Sequence, residues 1–553
     1  MWHASWCFFL PLWLLTNGEV GDGLSLAPAI LPDGCSEAIA TLRSCIDSLA
    51  LLTPPVRAAG ALAAGSLLLI PALGRASGLF RGLVFWRYAF PIYVDYRLTA
   101  HVLAQHPHLS VEERQHRWQA LHEKHGPKIL DFLVLLRGFY VKIGQVCSTR
   151  VDMFPRPWIN SLEKLQGENP ELVARPTELV KRIVQHDLGQ RAKQIKSIED
   201  VPLGAAATGQ VHRAWLNDGR RVVVKVQYPE AARLYHQDFA NVKLFCWLLQ
   251  PEHLGYLQEL EKQFSTEFDY RREAADLAEI SGRFAEGSGN PYAGKVVIPK
   301  PVLELASRNV VVMEYLEGET FLSYARRRKR ELERSSFLWA LWCGWRLQRQ
   351  LIAHLDLLIG VQGYQIFVDG VFNGDPHPGN VMMLRSGSLG LIDYGNVKRL
   401  VPTERALLGE LMIALATEQR DIVVKSAQRL GFRTRHNNAD ALFRYAQLWF
   451  DRDDAQSMRL PGQAPITNVQ VYLERLNALD PLITTPEAYL MAARNSFLMR
   501  GIGTHLGLQL RMAKRWRCFA EDAVLAAASG AGLGRGRAFA DFSPRRLRRC
   551  VHS

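Results

Sequence analysis

Gly374-Asp375-Pro376-His377-Pro378-Gly379-Asn380, followed by Leu391-Ile392-Asp393-Tyr394-Gly395, is the stretch on which the reading of this chain turns. Two prolines and a glycine leave the first segment few backbone conformations, which suits side chains that must stand at a fixed separation. Asp375 carries a carboxylate able to orient or deprotonate a hydroxyl, and Asn380 follows it by five residues. Asp393 comes thirteen residues after Asn380, at the end of a short apolar run and two positions before a glycine. Asn380 and Asp393 both offer hard oxygen ligands of the kind Mg²⁺ takes.

This order and spacing match the catalytic loop and the metal-binding Asp-x-Gly of kinase-type phosphoryl transfer, with Asp375 as the catalytic carboxylate. Three further pieces lie upstream. Gly204-Ala205-Ala206-Ala207-Thr208-Gly209 stands between two expected strands and has the outline of a phosphate-cradling loop, with Ala206 at the middle glycine position. Alone, such a run reads better as a structural turn. Lys225 sits inside the apolar strand Val222-Val223-Val224-Lys225-Val226, where its charge needs solvent or an anion; an ATP phosphate is the natural partner. Glu273 lies on a charged helix and is the candidate to orient Lys225. Asp269, one turn earlier, is expected on the same face, and Glu267 on another. Backbone groups of Glu314, Tyr315 and Leu316, after the strand Val310 to Met313, are placed to take the adenine edge.

Together these residues resemble the UbiB-like, aarF-domain atypical kinases, a family linked to ubiquinone and other isoprenoid-lipid metabolism. The resemblance runs from about Phe139 to Leu400. It is carried by Lys142-Ile143-Gly144-Gln145 as the KxGQ motif, the alanine-rich loop Ala205 to Ala207, Glu267 and Asp269 as the ExD motif, and the Asp-Pro-His-Pro-Gly-Asn loop. The resemblance implies that Lys142 and Gln145 sit on a helical extension folded over the nucleotide pocket, with Lys142 facing Glu267. Two departures stand out. Asn373 occupies a position where the family more often has His or Cys, and Asp276 one where it often has Asn; an extra carboxylate there either binds a second cation or faces water. No Ala-Pro-Glu motif follows Gly395, which argues against a conventional protein Ser/Thr kinase. A non-catalytic nucleotide-binding scaffold for a lipid-biosynthetic complex is the other rival, and the intact Lys225, Asp375, Asn380 and Asp393 count against it.

The expected fold class is α+β: a two-lobed, protein-kinase-like fold with a family-specific N-terminal helical extension. The expected division is a targeting and anchoring segment over 1–85, the helical extension over 86–200, an N-lobe over 201–320, a C-lobe over 321–525 and a basic disordered tail over 526–553. The strands expected in the N-lobe are Val211 to Trp215, Val222 to Gln227 and Val310 to Met313, with Asn217-Asp218-Gly219 as a hairpin. Phe132 to Ile143 reads as one helical stripe running into the KxGQ motif.

With 553 residues, 48% hydrophobic and 22% charged, the chain has material for two or three cores. The net charge of +13 points to an anionic partner. No RNA- or DNA-binding signature accompanies it, so no nucleic acid is expected; an anionic membrane surface or isoprenoid lipid is, and with it a quinone-biosynthesis complex. Residues 58–74 are uncharged, at the lower edge for a membrane span, and Arg75, Arg81, Arg87 and Arg97 follow, a distribution that suits contact with anionic headgroups. A span and a surface helix both fit that run. Eight scattered cysteines without a CxxC pair suit mostly reduced thiols. A membrane-associated location is expected, at the mitochondrial inner membrane or, as the alternative, in a plastid.

Overall fold

The computed structural model describes residues 78–529 apart from 107, 149–153, 166–173, 206–207, 250–253, 255–260, 262–267, 335, 375, 377, 461, 463–465 and 467–468. The anchoring run at 58–74 and the basic tail after Ser529 therefore lie outside the described residues, as do Ala206, Ala207, Glu267 and Asp375.

The described residues open on four helices: α1 (Gly78–Gln105), α2 (Val111–Leu136), α3 (Phe139–Ser148) and α4 (Arg156–Leu162). Ser110 and Glu113 close a capping box at the start of α2, satisfying two otherwise unpaired backbone donors. The single stripe expected from Phe132 to Ile143 is broken between α2 and α3, because Arg137 and Gly138 both take positive φ, 54° and 55°. The break turns α3 so that Phe139 meets Phe239 at 4.4 Å between ring centroids. Gly144 is small for a packing reason: a Cβ there would lie 2.5 Å from Leu165 and 2.8 Å from Leu133.

The N-lobe follows, with α5 (Thr177–Leu188), then β1 (Ile195–Ile198), β2 (Gly204–Ala205), β3 (Gly209–Leu216) and β4 (Arg221–Gln227). β3 and β4 form the hairpin at the expected turn, with Gly219 at φ 86°. Next come α6 (Ala231–Leu249), α7 (Tyr270–Arg283), β5 (Val296–Val297) and β6 (Val310–Glu314). The antiparallel sheet runs β1-β3-β4-β6, with β2 on β3. In β4, Val222, Val224 and Val226 are buried, so the period-2 alternation of a strand sends Lys225 to the opposite face.

The C-lobe is mostly helical. It begins with β7 (Gly318–Thr320), α8 (Phe321–Glu333) and α9 (Phe337–Tyr364). Among the described residues Trp342–Asp369 is the one helical run long and apolar enough to cross a bilayer, but it is 67% buried inside the protein. It is the core helix of this lobe. Then come β8 (Val371–Asn373), β9 (Val381–Leu384), β10 (Leu389–Leu391), β11 (Val397–Arg399), α10 (Pro402–Ala416), α11 (Arg420–Arg429), β12 (Arg433–Thr434), α12 (Ala439–Phe450), α13 (Val469–Leu479), β13 (Leu482–Thr484), α14 (Glu487–His505) and α15 (Met512–Ala528). A Cβ on Gly409 of α10 would lie 2.9 Å from the Ala520 carbonyl of α15, so these helices approach backbone to backbone. Trp516 of α15 donates its ring N–H to the Ile359 carbonyl of α9 at 2.9 Å.

The helical extension is bolted to the N-lobe. Arg81 of α1, 5% exposed, sends two guanidinium bonds of 2.8 and 2.6 Å to Asp238 of α6, which is fully buried. Around this pair, Phe85 and Trp86 pack on Phe245 at 5.7 and 5.4 Å. This corrects the reading of Arg81 as a headgroup-binding residue: its charge is spent inside the protein. Residues 78–85, counted with the anchoring segment in the sequence, are the first turns of α1. Among the described cysteines, Cys147, Cys246 and Cys343 are free thiols and Cys518 is disulfide-bonded.

Candidate active site

Three structural devices bring the chemistry together. The first is β4, whose alternation points Lys225 at α7. Lys225 Nζ lies 2.5 Å from Glu273 Oε1 and 3.7 Å from Asp393 Oδ1. Its ammonium is also 5.1 Å from the centre of the Tyr270 ring. Burial disfavours the charge on Lys225, but Asp393 and Glu273 outweigh it and hold the amine well above the usual lysine value. Lys225 is therefore a fixed cation. Glu273 is 6% exposed, which leaves its carboxylate little water to lean on and makes the ammonium its counterion.

The second device is the ribbon of β8 and β11, in which Asn373 pairs with Val397. It sets the loop after Asn373 beside the loop before Val397. The Gly374 amide donates to the Asn396 carbonyl at 2.7 Å. Across the gap, β9 begins after Asn380 and β10 ends before Asp393, and the Ile392 amide donates to the Asn380 carbonyl at 3.1 Å. Asn380 Nδ2 then stands 3.4 Å from Asp393 Oδ2. The Gly395 amide donates to Asp393 Oδ1 at 2.9 Å, which fixes the carboxylate's orientation.

The third device is one the sequence did not disclose. Asn373 donates from its side chain to the Asp393 carbonyl at 2.7 Å, and its own carbonyl accepts from Asn495 Nδ2 of α14 at 3.0 Å. Asn373 and Asn495 are 4% and 0% exposed. They form a buried amide clamp that ties the Asp393 backbone to the helical lobe. The only hint in the sequence was the unusual asparagine at 373; Asn495, 122 positions away, had none.

Other expectations fare differently. Asp269 does not share a helical face with Glu273. It is the N-cap of α7 in extended conformation, accepts from the Arg271 amide at 3.1 Å, and is bound by the Arg271 guanidinium at 2.7 Å. An Asp favours that place because its side-chain oxygen satisfies a helix-end donor. Asp276 neither faces water alone nor stands ready for a cation: Arg399 of β11 bridges it at 2.6 Å and Glu279 at 2.7 Å. Gly209 is required by packing, since a Cβ there would lie 2.2 Å from the Val226 carbonyl. Thr208 accepts from the Tyr228 amide through its own carbonyl at 2.9 Å, and Ala205 is buried. The Glu314 amide is committed to the Lys300 carbonyl at 2.9 Å and that of Tyr315 to Arg221 at 3.2 Å, which narrows the candidate adenine edge to the Glu314 carbonyl and the Leu316 backbone. Gly144 sits in α3, where the bulk of Leu133 and Leu165 explains it; the side chains of Lys142 and Gln145 lie outside the described residues.

The arrangement suits a polyphosphate and a hard divalent ion. The donors that meet at the loop crossing, an Asp carboxylate and an Asn amide, are oxygen ligands, and few enough to leave positions for phosphate and water.

Comparison with known proteins shows the family of this chain. The ABC1 atypical kinase-like domain matches residues 169–427. An uncharacterised protein of Synechocystis is 31% identical over 309 residues, 52% of this chain and 69% of that relative. AarF domain-containing protein kinase 1 of Xenopus laevis is 26% identical over 420 residues, 73% of this chain and 75% of its own. The chloroplastic ACTIVITY OF BC1 COMPLEX KINASE 7 of Arabidopsis thaliana is 28% identical over 326 residues, 58% of this chain and 43% of its own. Among solved structures, Rv3197 of Mycobacterium tuberculosis, determined with erythromycin, is similar at 22% identity and a TM-score of 0.43, over 75% of this chain and 98% of that one. By its motifs, the matching domain and its sequence relatives, the chain belongs to the ABC1, or AarF-domain, family of atypical kinase-like proteins.

Proposed function

We propose that the protein binds Mg-ATP and uses it for phosphoryl transfer or hydrolysis in support of isoprenoid-quinone or related lipid metabolism at a membrane. The observation that carries this reading is the Lys225–Glu273 pair at 2.5 Å with Asp393 at 3.7 Å, beside Asn380. In it, Lys225 holds the α- and β-phosphates while Glu273 keeps its ammonium in place. Asn380 and Asp393 hold the Mg²⁺, which when bound neutralises charge on the phosphates. Asp375 orients the acceptor hydroxyl or water and takes its proton as the oxygen–phosphorus bond forms and the bond to the ADP oxygen breaks. The Leu316 backbone and the Glu314 carbonyl receive the adenine. The mitochondrial inner membrane is the proposed location, with a plastid as the alternative.

Phosphate release by the purified protein tests this, with and without lipid vesicles and isoprenoid-quinone precursors. Mg²⁺-dependent release that rises with lipid is expected, and Asp393→Asn should lose both the release and the Mg-ATP-induced thermal shift while its unfolding stays cooperative. A shift in Asp393→Asn equal to that of the unsubstituted chain would overturn the metal assignment. Absence of any release alongside normal Mg-ATP binding would favour the scaffold reading instead.

A further inference from the structure

Three tryptophans stand exposed on the first half of α9: Trp339 at 58%, Trp342 at 48% and Trp345 at 55%. Scattered apolar side chains at a surface are ordinary, but three large aromatics on one helix face are not. At 3.6 residues per turn, positions 339, 342, 345, 346 and 349 fall within an arc of about 120°. The arc therefore interleaves the three indoles with Arg346 and Arg349. The structure bears this out, with the Arg346 guanidinium 4.7 Å from the Trp342 ring centre and that of Arg349 4.8 Å from Trp345. Trp339 and Trp342 pack at 5.3 Å. Beyond Leu347 the same helix turns into the core, with Leu351, Leu355 and Leu358 all buried.

The neighbouring helix adds charge of one sign. α8 packs against α9 and carries Arg326, Arg327, Arg328, Lys329 and Arg330. Residues 321–350 hold eight basic and two acidic side chains, a net +6 within a chain whose total is +13. One of the two acids, Glu331, is neutralised by Arg328 at 2.6 Å and by Arg327. An amphipathic indole wants its ring in apolar surroundings and its N–H in a wet, polar layer, and arginines beside it want anions. Acyl chains beneath anionic headgroups supply both at once. An exposed helix face, by contrast, provides no groove to track a nucleic-acid backbone.

We propose that the Trp339–Arg349 face of α9, with the basic α8 beside it, is a docking surface for an anionic lipid bilayer, separate from the run at 58–74. The inference rests on the surface alone and does not need the phosphotransfer reading. The indoles enter the interface, and Arg346, Arg349 and the α8 cations meet the headgroups.

The test uses the full chain with vesicles of phosphatidylcholine alone or with about a third phosphatidylglycerol, each also prepared with brominated acyl chains that quench tryptophan on contact. Brominated anionic vesicles should quench part of the emission, and Trp339→Ala/Trp342→Ala/Trp345→Ala should lose that part even if another segment keeps the protein on the vesicle. Arg346→Gln/Arg349→Gln should weaken the quenching about tenfold in lipid concentration, as should about 0.5 M salt. The side chains are exposed, so the variants should unfold at the temperature of the unsubstituted chain and keep its Mg-ATP thermal shift. Equal quenching in the triple variant, or equal quenching by neutral and anionic vesicles, overturns the proposal. So does protection of the three indoles by self-association or by an acidic protein with no vesicle effect.

Discussion

At the scale of single residues, the site is held by buried amides that hydrogen-bond across its loops. Asn373 is one: its amide donates to the Asp393 carbonyl and its carbonyl accepts from Asn495, both away from water. Removing a buried donor leaves its partner unsatisfied, at a cost of about 1–3 kcal/mol. Asn373→Leu should lower stability by that amount and also weaken the Mg-ATP-induced thermal shift, because the Asp393 backbone loses its tether. A purely structural role would lower the melting temperature and leave the ligand-induced increment unchanged. Glycines divide in the same way. Gly209→Ala must push a Cβ into the Val226 carbonyl, whereas at Gly204 nothing lies within 4 Å. Urea unfolding should show Gly209→Ala destabilised by about 1–3 kcal/mol or more and Gly204→Ala close to neutral. Equal effects at the two positions would mean that the β3–β4 approach is looser than described.

At the scale of elements, the helical extension carries a pH dependence of its own. His122 of α2 is buried, stacks with Trp118 and Tyr96, and shares a 2.9 Å hydrogen bond with the Tyr96 hydroxyl. Burial pushes its imidazolium down to about 4, and nearby His125 acts in the same direction. His125 is itself lowered by burial, against the pull of Asp95 at 2.9 Å, with Lys124 also on Asp95 at 2.7 Å. The sign follows from which form the fold accepts. His122 is neutral when folded, so the unfolded chain binds the proton first, and stability falls as pH drops from about 6.5 towards 4. The full shift amounts to about 3 kcal/mol, of which the part above pH 5 comes before most carboxylates titrate. In thermal unfolding between pH 7 and 5 this protonation lowers the melting temperature, against an opposite contribution from Asp238, whose raised carboxyl binds its proton first in the folded chain. His122→Gln, which keeps an acceptor for Tyr96, should remove that lowering; an unchanged slope would assign it elsewhere.

At the scale of the molecule, one buried ion pair joins the extension to the kinase-like lobes. Burial raises the Asp238 carboxyl to about 7, with Arg81 pulling the other way. If Arg81 is removed, Asp238 can neutralise itself by binding a proton. If Asp238 is removed, the guanidinium has no such escape. Asp238→Ala should therefore cost about 3–5 kcal/mol, the range for breaking a buried pair, and Arg81→Met distinctly less. Limited proteolysis should release α1–α4 as a unit faster in Asp238→Ala than in Arg81→Met. Equal release from the two variants would mean that the pair is solvated and its two halves equivalent. Within the C-lobe, Asn495 reaches from α14 to the β8 strand that frames the site.

How much of this was legible beforehand depends on the range of the forces involved. Local chemistry was legible: the β3–β4 hairpin follows from Asn217-Asp218-Gly219 and flanking β-branched residues, and the meeting of Asn380 with Asp393 from prolines and glycines that restrict the backbone. The direction of Lys225 was legible too, because a strand alternates whatever it pairs with. Asp269 and Asp276 were misread because a helical face was extended past a cap in one case and an arginine 123 residues away was invisible in the other. Arg81 looked like a headgroup ligand until the packing of α1 on α6 enclosed it. Sequence by itself determined the family, the two lobes and the residue types able to hold phosphate and metal, since short-range backbone and side-chain rules decide those. Tertiary structure alone decided which charges are spent on each other, which asparagines clamp the loops, and which tryptophans remain outside, because each depends on partners that only the fold brings within a few ångströms.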